Sequence, residues 1–238
     1  MRRASGYDEA YFSWQRQTAE GSAAALLPVV LILDVGCGTG AWLQEARRLG
    51  VEDVLGLDDG GAGSLVIPQD CFMQVDLERP LNVPRRFDLA ICMEVAEHLR
   101  PARGPALVRE LAGVADAVLF SAAIPGQTPP GSPEHQNERW QTYWAGLFRD
   151  ADYEPVDALR PLIWDDRRIA FWYRQNAFVA AAQGNGAGLL AGERTIRDVV
   201  HPEMWSRVYP ELWSRQISLK AHLGAMPRAL ARAITRRL

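Results

Sequence analysis

Cysteine is scarce in this 238-residue chain, and the three present, Cys37, Cys71 and Cys92, form no Cys-x-x-Cys pair and no zinc-ligand spacing. That leaves no basis for a disulfide framework, so buried free thiols in a reducing compartment are expected. A surplus of one charge is lacking too. Twenty-six basic residues against 29 acidic ones give a formal charge of −3, which supplies no global attraction to nucleic acid or anionic lipid. No apolar run is long enough to cross a bilayer. Residues 1–11 are polar and lack the apolar stretch of a signal peptide, which points to a cytoplasmic protein. No segment repeats. With 48% hydrophobic and 23% charged residues, the composition suits one well-buried α/β domain with an appendage.

Apolar runs alternate with helical periodicity along the chain. Strands are expected over 29–35, 54–57, 71–75, 87–93 and 117–121, with helices over 41–49 and about 105–111. Such βαβ alternation predicts a parallel sheet wrapped by helices. Beyond Ser121 the run Pro125-Gly126-Gln127-Thr128-Pro129-Pro130-Gly131-Ser132-Pro133 is a loop by composition. Trp140, Tyr143, Trp144 and Leu147 have helical spacing. Segments 153–159 and 171–180 supply the last two strands as a hairpin that closes the sheet. In such a strand Trp172 and Tyr173 face opposite ways. The expected fold is a Rossmann-like, seven-stranded, mostly parallel sheet with an antiparallel last strand and a helical C-terminal extension. Residues 1–28 read as a helical lid, 29–182 as the α/β domain, and 183–238 as a glycine-rich linker and a basic helical extension. Leu219, Leu223, Leu230 and Ile234 lie among arginines in that extension. The pattern suits peripheral membrane contact, a homodimer, or a helix packed on its own domain.

The most informative stretch is Leu31-Ile32-Leu33-Asp34-Val35-Gly36-Cys37-Gly38-Thr39-Gly40, an apolar strand that ends in an acidic residue and three alternating glycines. It opens straight into the helical pattern Ala41-Trp42-Leu43-Gln44-Glu45-Ala46. Glycines turn the backbone sharply and leave room for a ligand, and amides at a helix start favour an electron-rich group. The spacing is G-x-G-x-G, not the G-x-G-x-x-G of dinucleotide enzymes. It resembles motif I of the class I S-adenosylmethionine (SAM) methyltransferases.

That resemblance implies a SAM site at the carboxyl ends of successive strands. Asp34, Gly36, Cys37, Gly38 and Gly40 would line the glycine turn. Asp58, with Asp59 beside it, would accept the ribose hydroxyls. Asp76 would accept from the adenine amino group while Leu77 packs on the ring. Glu94, at the end of the fourth strand, would lie near the methionine moiety, and Tyr11 of the lid would touch its carboxylate.

Two features bear on the methyl acceptor. Glu94-Val95-Ala96-Glu97-His98 has the form E-x-x-E-H. On a helical turn Glu94 and Glu97 share a face with His98 adjacent. Two carboxylates and an imidazole suit Mg²⁺ or Mn²⁺. The pattern looks like the metal motif of ubiquinone-pathway O-methyltransferases and of methyltransferases acting on small-RNA terminal riboses, in which a later histidine completes the site. His135 fills that position here. Without metal, His135 would serve as general base. Second, aromatic residues stand among polar ones in 135–148 and 171–176, which is similar to bacterial glycan and secondary-metabolite methyltransferases. Trp140, Tyr143, Trp172 and Asn176 would then receive a hydroxyl-rich acceptor, the rings covering C–H faces and the polar groups meeting hydroxyls. The expected reaction is O-methylation of a small hydroxylated molecule. An RNA ribose methyltransferase would share the E-x-x-E-H motif, but the acidic balance argues against it. A protein or peptide methyltransferase is a further alternative.

Overall fold

The computed structural model describes residues 29–60, 64–83, 85–128, 134–183 and 192–208. In chain order these form β1 (Leu31–Val35), α1 (Ala41–Arg48), β2 (Asp53–Asp58), a 3₁₀ turn (Gln69–Cys71), β3 (Phe72–Gln74), β4 (Phe87–Met93), α2 (Gly104–Val114) and β5 (Ala115–Ser121). There follow α3 (Gln141–Arg149), β6 (Tyr153–Val156), α4 (Arg160–Ile163), α5 (Phe171–Asn176) and β7 (Phe178–Ala182). The sheet has seven strands in the order β3-β2-β1-β4-β5-β7-β6. Strands β1 to β5 pair in parallel, and β7 runs antiparallel between β5 and β6. The chain leaves β1 toward one edge and returns to β4 on its other side. The β1–β4 boundary is therefore the switch point where ligands of such sheets sit.

The strands at that boundary are apolar because both of their faces are covered. Leu33, Val35, Ala90 and Cys92 join a core with Leu107, Leu111, Trp144 and Phe148. Ile32, Leu89 and Ile91 join another with Trp42, Leu43 and Tyr173. At the β5–β7 end, Phe120 packs at centroid distances of 5.3 Å on Trp144, 5.3 Å on Phe148 and 5.6 Å on Phe178. The start of β1 is tied to β4 by Asp88, whose carboxylate accepts from the Val30 and Leu31 amides.

The expected strand over 171–180 begins only at Phe178; its first six residues are α5. Phe-Trp-Tyr has high strand propensity, but a strand there would send Arg174, Gln175 and Asn176 alternately into two apolar layers. As a helix the segment buries all three with hydrogen-bond partners, including Arg174 Nη1 donating to the Trp164 carbonyl at 2.8 Å. Trp172 and Tyr173 are accordingly neighbours on a helix, with ring centroids 6.2 Å apart, and not residues on opposite faces of a strand.

Residues 192–199 pack on the domain. Glu193 bridges Asp157, Ile196 enters the core, and the Arg197 and Val199 carbonyls accept from Arg160 and Gln141. The chain divides into two compact units, with the boundary between Val199 and Val200. The described part of the second unit is helix α6 (Pro202–Val208). The expected lid with Tyr11 and the amphipathic stretch from Leu219 to Ile234 lie outside the described residues. Among the described residues no helix is long and apolar enough to cross a membrane.

Candidate active site

The glycine turn follows β1. Gly36, Gly38 and Gly40 have φ of +81°, +56° and +85°. Two of them also sit where a side chain has no room. A Cβ on Gly36 would lie 2.3 Å from a Val95 methyl, and one on Gly40 2.7 Å from Ile67. The turn is fastened to β2, where the Gly36 and Cys37 amides donate to the Leu57 carbonyl at 2.8 and 3.1 Å. Asp58 accepts from the Gly38 amide at 2.9 Å and from the Gly60 amide at 3.2 Å. The Asp58 carboxyl is pushed up by burial, with Asp59 adding to the effect. Burial, Asp34 and Asp58 push the Cys37 thiol up as well, so it is no thiolate.

Asp34 is 2% exposed, and its Oδ2 has no hydrogen-bond partner; the same holds for the buried Thr39 hydroxyl. Buried polar atoms are normally satisfied. Two orphans in one glycine turn mark a place that a polar ligand completes, which fits a cofactor carrying cationic and hydrogen-bonding groups. Asp76, by contrast, is exposed and turned to its own neighbours, accepting from the Glu78 amide at 3.0 Å and pairing with Arg79. Leu77 is half-buried against the core, and its carbonyl accepts from Arg103.

Beyond β4 the E-x-x-E-H segment is not helical. Glu94 has φ +56°, and residues 96–98 form a turn. The Glu94 amide is drawn toward β5, donating to the Ser121 carbonyl and hydroxyl at 3.0 and 3.1 Å. Glu94 stays close to Glu97 but is engaged by amide side chains. Its Oε2 accepts from Gln127 Nε2 at 2.8 Å and its Oε1 from Asn176 Nδ2 at 3.0 Å. Gln127 Oε1 in turn accepts from Asn176 and Gln175, and Gln175 also donates to Asn176 Oδ1. These three buried amides thus direct their donors toward one another and finally to Glu94.

Glu97, His98 and His135 do come together, each offering a ligand atom within 4.8 Å of the others. The segment carrying His135 docks by backbone on the turn, with the Gln136 and Asn137 amides donating to the Glu97 carbonyl at 2.8 and 2.9 Å. The two imidazoles meet edge to face, 4.7 Å between centroids. His98 Nδ1 lies 2.9 Å from the Glu134 carbonyl, an acceptor only, so that nitrogen carries the proton and Nε2 the lone pair. His135 Nδ1 lies 3.0 Å from Glu138 Oε1 and is fixed likewise. Burial and then the neighbouring His135 lower the His98 pKa, which favours the neutral, ligating form. Burial raises Glu138, but hydrogen bonds from Thr128, Gly126 and His135 outweigh it and hold the carboxyl below its usual value. Glu97 is fully buried, and neither oxygen has a partner at hydrogen-bond geometry, although Glu94 and the Ala123 backbone lie close. Burial first, and Glu94 second, push it well above the carboxylate range.

Of the expected acceptor residues, only Asn176 is tied to the carboxylates. Trp140 is 40% exposed before α3, Tyr143 packs against Trp144 under the Arg139 guanidinium, and Trp172 is half-buried on α5. Sequence reasoning gave no role to Gln127, Gln175 or Glu138. Only Glu138 carried a signal, its three-residue spacing from His135.

Residues 24–151, more than half of the chain, match the methyltransferase domain family. The fold is similar to that of magnesium protoporphyrin IX methyltransferase from Synechocystis PCC 6803 with bound SAH, at a TM-score of 0.53 and 19% identity over 76% of this chain and 90% of that one. It is also similar to that of the sugar N-methyltransferase KedS8 from Streptoalloteichus sp ATCC 53650, at a TM-score of 0.50 and 16% identity over 75% and 89%. At these identities the likeness is one of fold. No curated protein sequence matches the chain. The glycine turn at the switch point agrees with the family match: the chain belongs to the methyltransferase domain family and is a SAM-dependent methyltransferase.

Proposed function

We propose that this enzyme methylates a hydroxyl of a small, hydroxyl-rich acceptor, a sugar or natural-product intermediate, and that the Glu97–His98–His135 cluster handles the hydroxyl proton. SAM supplies an electrophilic sulfonium methyl, so the protein's tasks are to align the acceptor and take up a proton. Asp34, the glycine turn and Asp58 would hold the donor. Glu94, held by Gln127 and Asn176, would accept from a hydroxyl of the acceptor.

One observation carries the reading. Two imidazoles, each with Nδ1 engaged by an acceptor, stand with a buried carboxylate that has no hydrogen-bond partner, and one ligand atom from each of the three lies within 4.8 Å of the others. Outer partners of this kind orient histidine ligands of metals. Glu97, His98 and His135 would hold a divalent cation, Mg²⁺ or Mn²⁺, which would lower the pKa of an acceptor hydroxyl. Glu94, whose oxygens are engaged by amides, leaves the expected ligand set. A metal-free reading rests on Glu138: its bond to His135 is the carboxylate–imidazole pairing of a general base.

Labelled SAM offered with pools of sugars and sugar nucleotides, RNA and peptides tests the acceptor; label in RNA or peptide alone overturns the proposal. Turnover lost on EDTA treatment and restored by Mn²⁺ supports the metal. Full turnover after chelation assigns the proton to His135. In both cases His135→Ala lowers kcat by ~10²–10⁴ with SAM affinity kept.

A further inference from the structure

Asp34 lies on β1 between two partner strands, paired with Gly56 of β2 and Ile91 of β4. It is almost fully enclosed, and its Oδ2 meets no donor. Among the described residues, the titratable groups facing it are Asp58 on β2, Cys37 in the glycine turn and Cys92 on β4. None is cationic. Asp58 spends its own hydrogen bonds on the Gly38 and Gly60 amides. On the packed helix α1, Glu45 is paired with Arg48, and the exposed Arg47 donates to the Cys71 sulfur. A buried carboxylate with no cation and no donor costs far more than the neutral acid. Burial, and then Asp58, push this group up to about 8.

We propose that the arriving donor drives the proton off Asp34, making donor binding and ionisation of this carboxyl one coupled event. The inference rests on SAM as the donor. SAM brings an ammonium and a sulfonium into the turn that Asp34 underlies. The O–H bond breaks, the proton passes to buffer, and the electron pair stays on a carboxylate that now faces positive charge. The sign follows from linkage. Below pH 8 the free protein holds a proton that the complex lacks, so affinity rises with pH. The gain is about tenfold per pH unit at most. It levels off near pH 8, where free Asp34 ionises and the donor's own α-amine, with an ordinary pKa of ~8, begins to lose its charge.

Titration calorimetry at pH 7 in phosphate and in Tris tests this directly. The expected result is close to one proton released per SAM bound, and release by S-adenosylhomocysteine, which keeps the ammonium. Methylthioadenosine, which lacks the amino acid, should release none. In Asp34→Asn the release should vanish and the affinity should stop changing between pH 6 and 8. Release that persists in Asp34→Asn, or no release in the natural protein, overturns the proposal. Should the variant not fold, infrared difference spectra of the natural protein serve instead: loss of a protonated-carboxyl band on adding SAM is expected, and an unchanged band overturns the proposal. Binding without proton release sinks this inference alone. No heat with SAM or S-adenosylhomocysteine sinks the donor assignment beneath it.

Discussion

Two carboxylates stand near the ends of adjacent strands, Asp34 on β1 and Glu94 just past β4, and the fold treats them in opposite ways. Glu94 is half-buried and receives an amide donor on each oxygen, from Gln127 and Asn176. Asp34 is fully enclosed with an oxygen that receives none. Hydrogen bonds to the charged form stabilise a carboxylate, and burial without them disfavours it. Glu94 is thus finished by the protein, which holds it in one orientation before any acceptor comes. The β1 side is left for a ligand to finish. Such a division suits an enzyme whose donor is always the same charged molecule and whose acceptor must be read by fixed hydrogen bonds.

The two sides also meet where Gly36 approaches Val95, and breaking that contact should have the largest effect. Gly36→Ala puts a methyl 2.3 Å from Val95 Cγ2 and forces an L side chain to φ +81°. Val95 heads the turn that carries Glu97 and His98. The substitution should therefore displace the glycine turn and the histidine turn together. A destabilisation of ~3 kcal/mol or more and SAM affinity weakened by ~100-fold or more are expected, read by urea unfolding and calorimetry. Adding Val95→Ala should recover stability only in part, because the backbone strain stays. Full recovery would show that the clash alone sets the turn.

A smaller effect should separate the two sides. Removing Glu94 leaves Gln127 and Asn176 with a lost acceptor, and removing Asn176 leaves Glu94 with one donor fewer. Glu94→Ala and Asn176→Ala should each cost ~1–3 kcal/mol, with a coupling of ~1 kcal/mol in the double-mutant cycle. Asn176→Ala should leave SAM affinity within about twofold, a change worth only ~0.4 kcal/mol. A larger loss would mean that the amide cluster serves the donor as well, and the proposed division would fail.

The donor side was legible because its signals are local. The acidic residue, three glycines and helix start fall within 31–46, and positive φ at each glycine is what the spacing requires. The β4 strand was found over the same seven residues because a strand covered on both faces is a continuous apolar run. The other side is assembled from distant segments. Asn176 reaches Glu94 across 82 positions and Gln127 across 33, and nothing in a local pattern marks those partners. The E-x-x-E-H spacing suggested a helical turn, but the left-handed backbone at Glu94 turns its carboxylate toward the amides and leaves three groups where four ligands were expected. Aromatic strand formers at 171–173 hid the short helix that delivers Gln175 and Asn176. Asp76 has the position of an adenine ligand, and its carboxylate also accepts from the Glu78 amide of the turn that it caps.

The smallest effect is expected where neither side is involved, near the amino-terminal ends of the strands. Arg85 pairs through both terminal nitrogens with Asp53 at the start of β2 and lies 4.8 Å over the Phe87 ring. Both charged side chains are about 40% exposed, at 42% and 41%. The hydrogen bond from Arg85 holds the Asp53 carboxyl below its usual value, so the pair stabilises the fold above the ordinary aspartate pKa of ~4 and is lost as pH falls through the lower folded value. Exposed pairs are screened by water and salt, so Arg85→Ala should cost no more than ~1 kcal/mol. The loss should shrink in 1 M salt, where the screening length is ~3 Å. It should also shrink at about pH 3, leaving only the ring contact. SAM affinity and the proton count on binding should not move. If either did, charge at the far end of the sheet would be felt at Asp34, and the isolation of that carboxyl from the cations of the described residues would no longer hold.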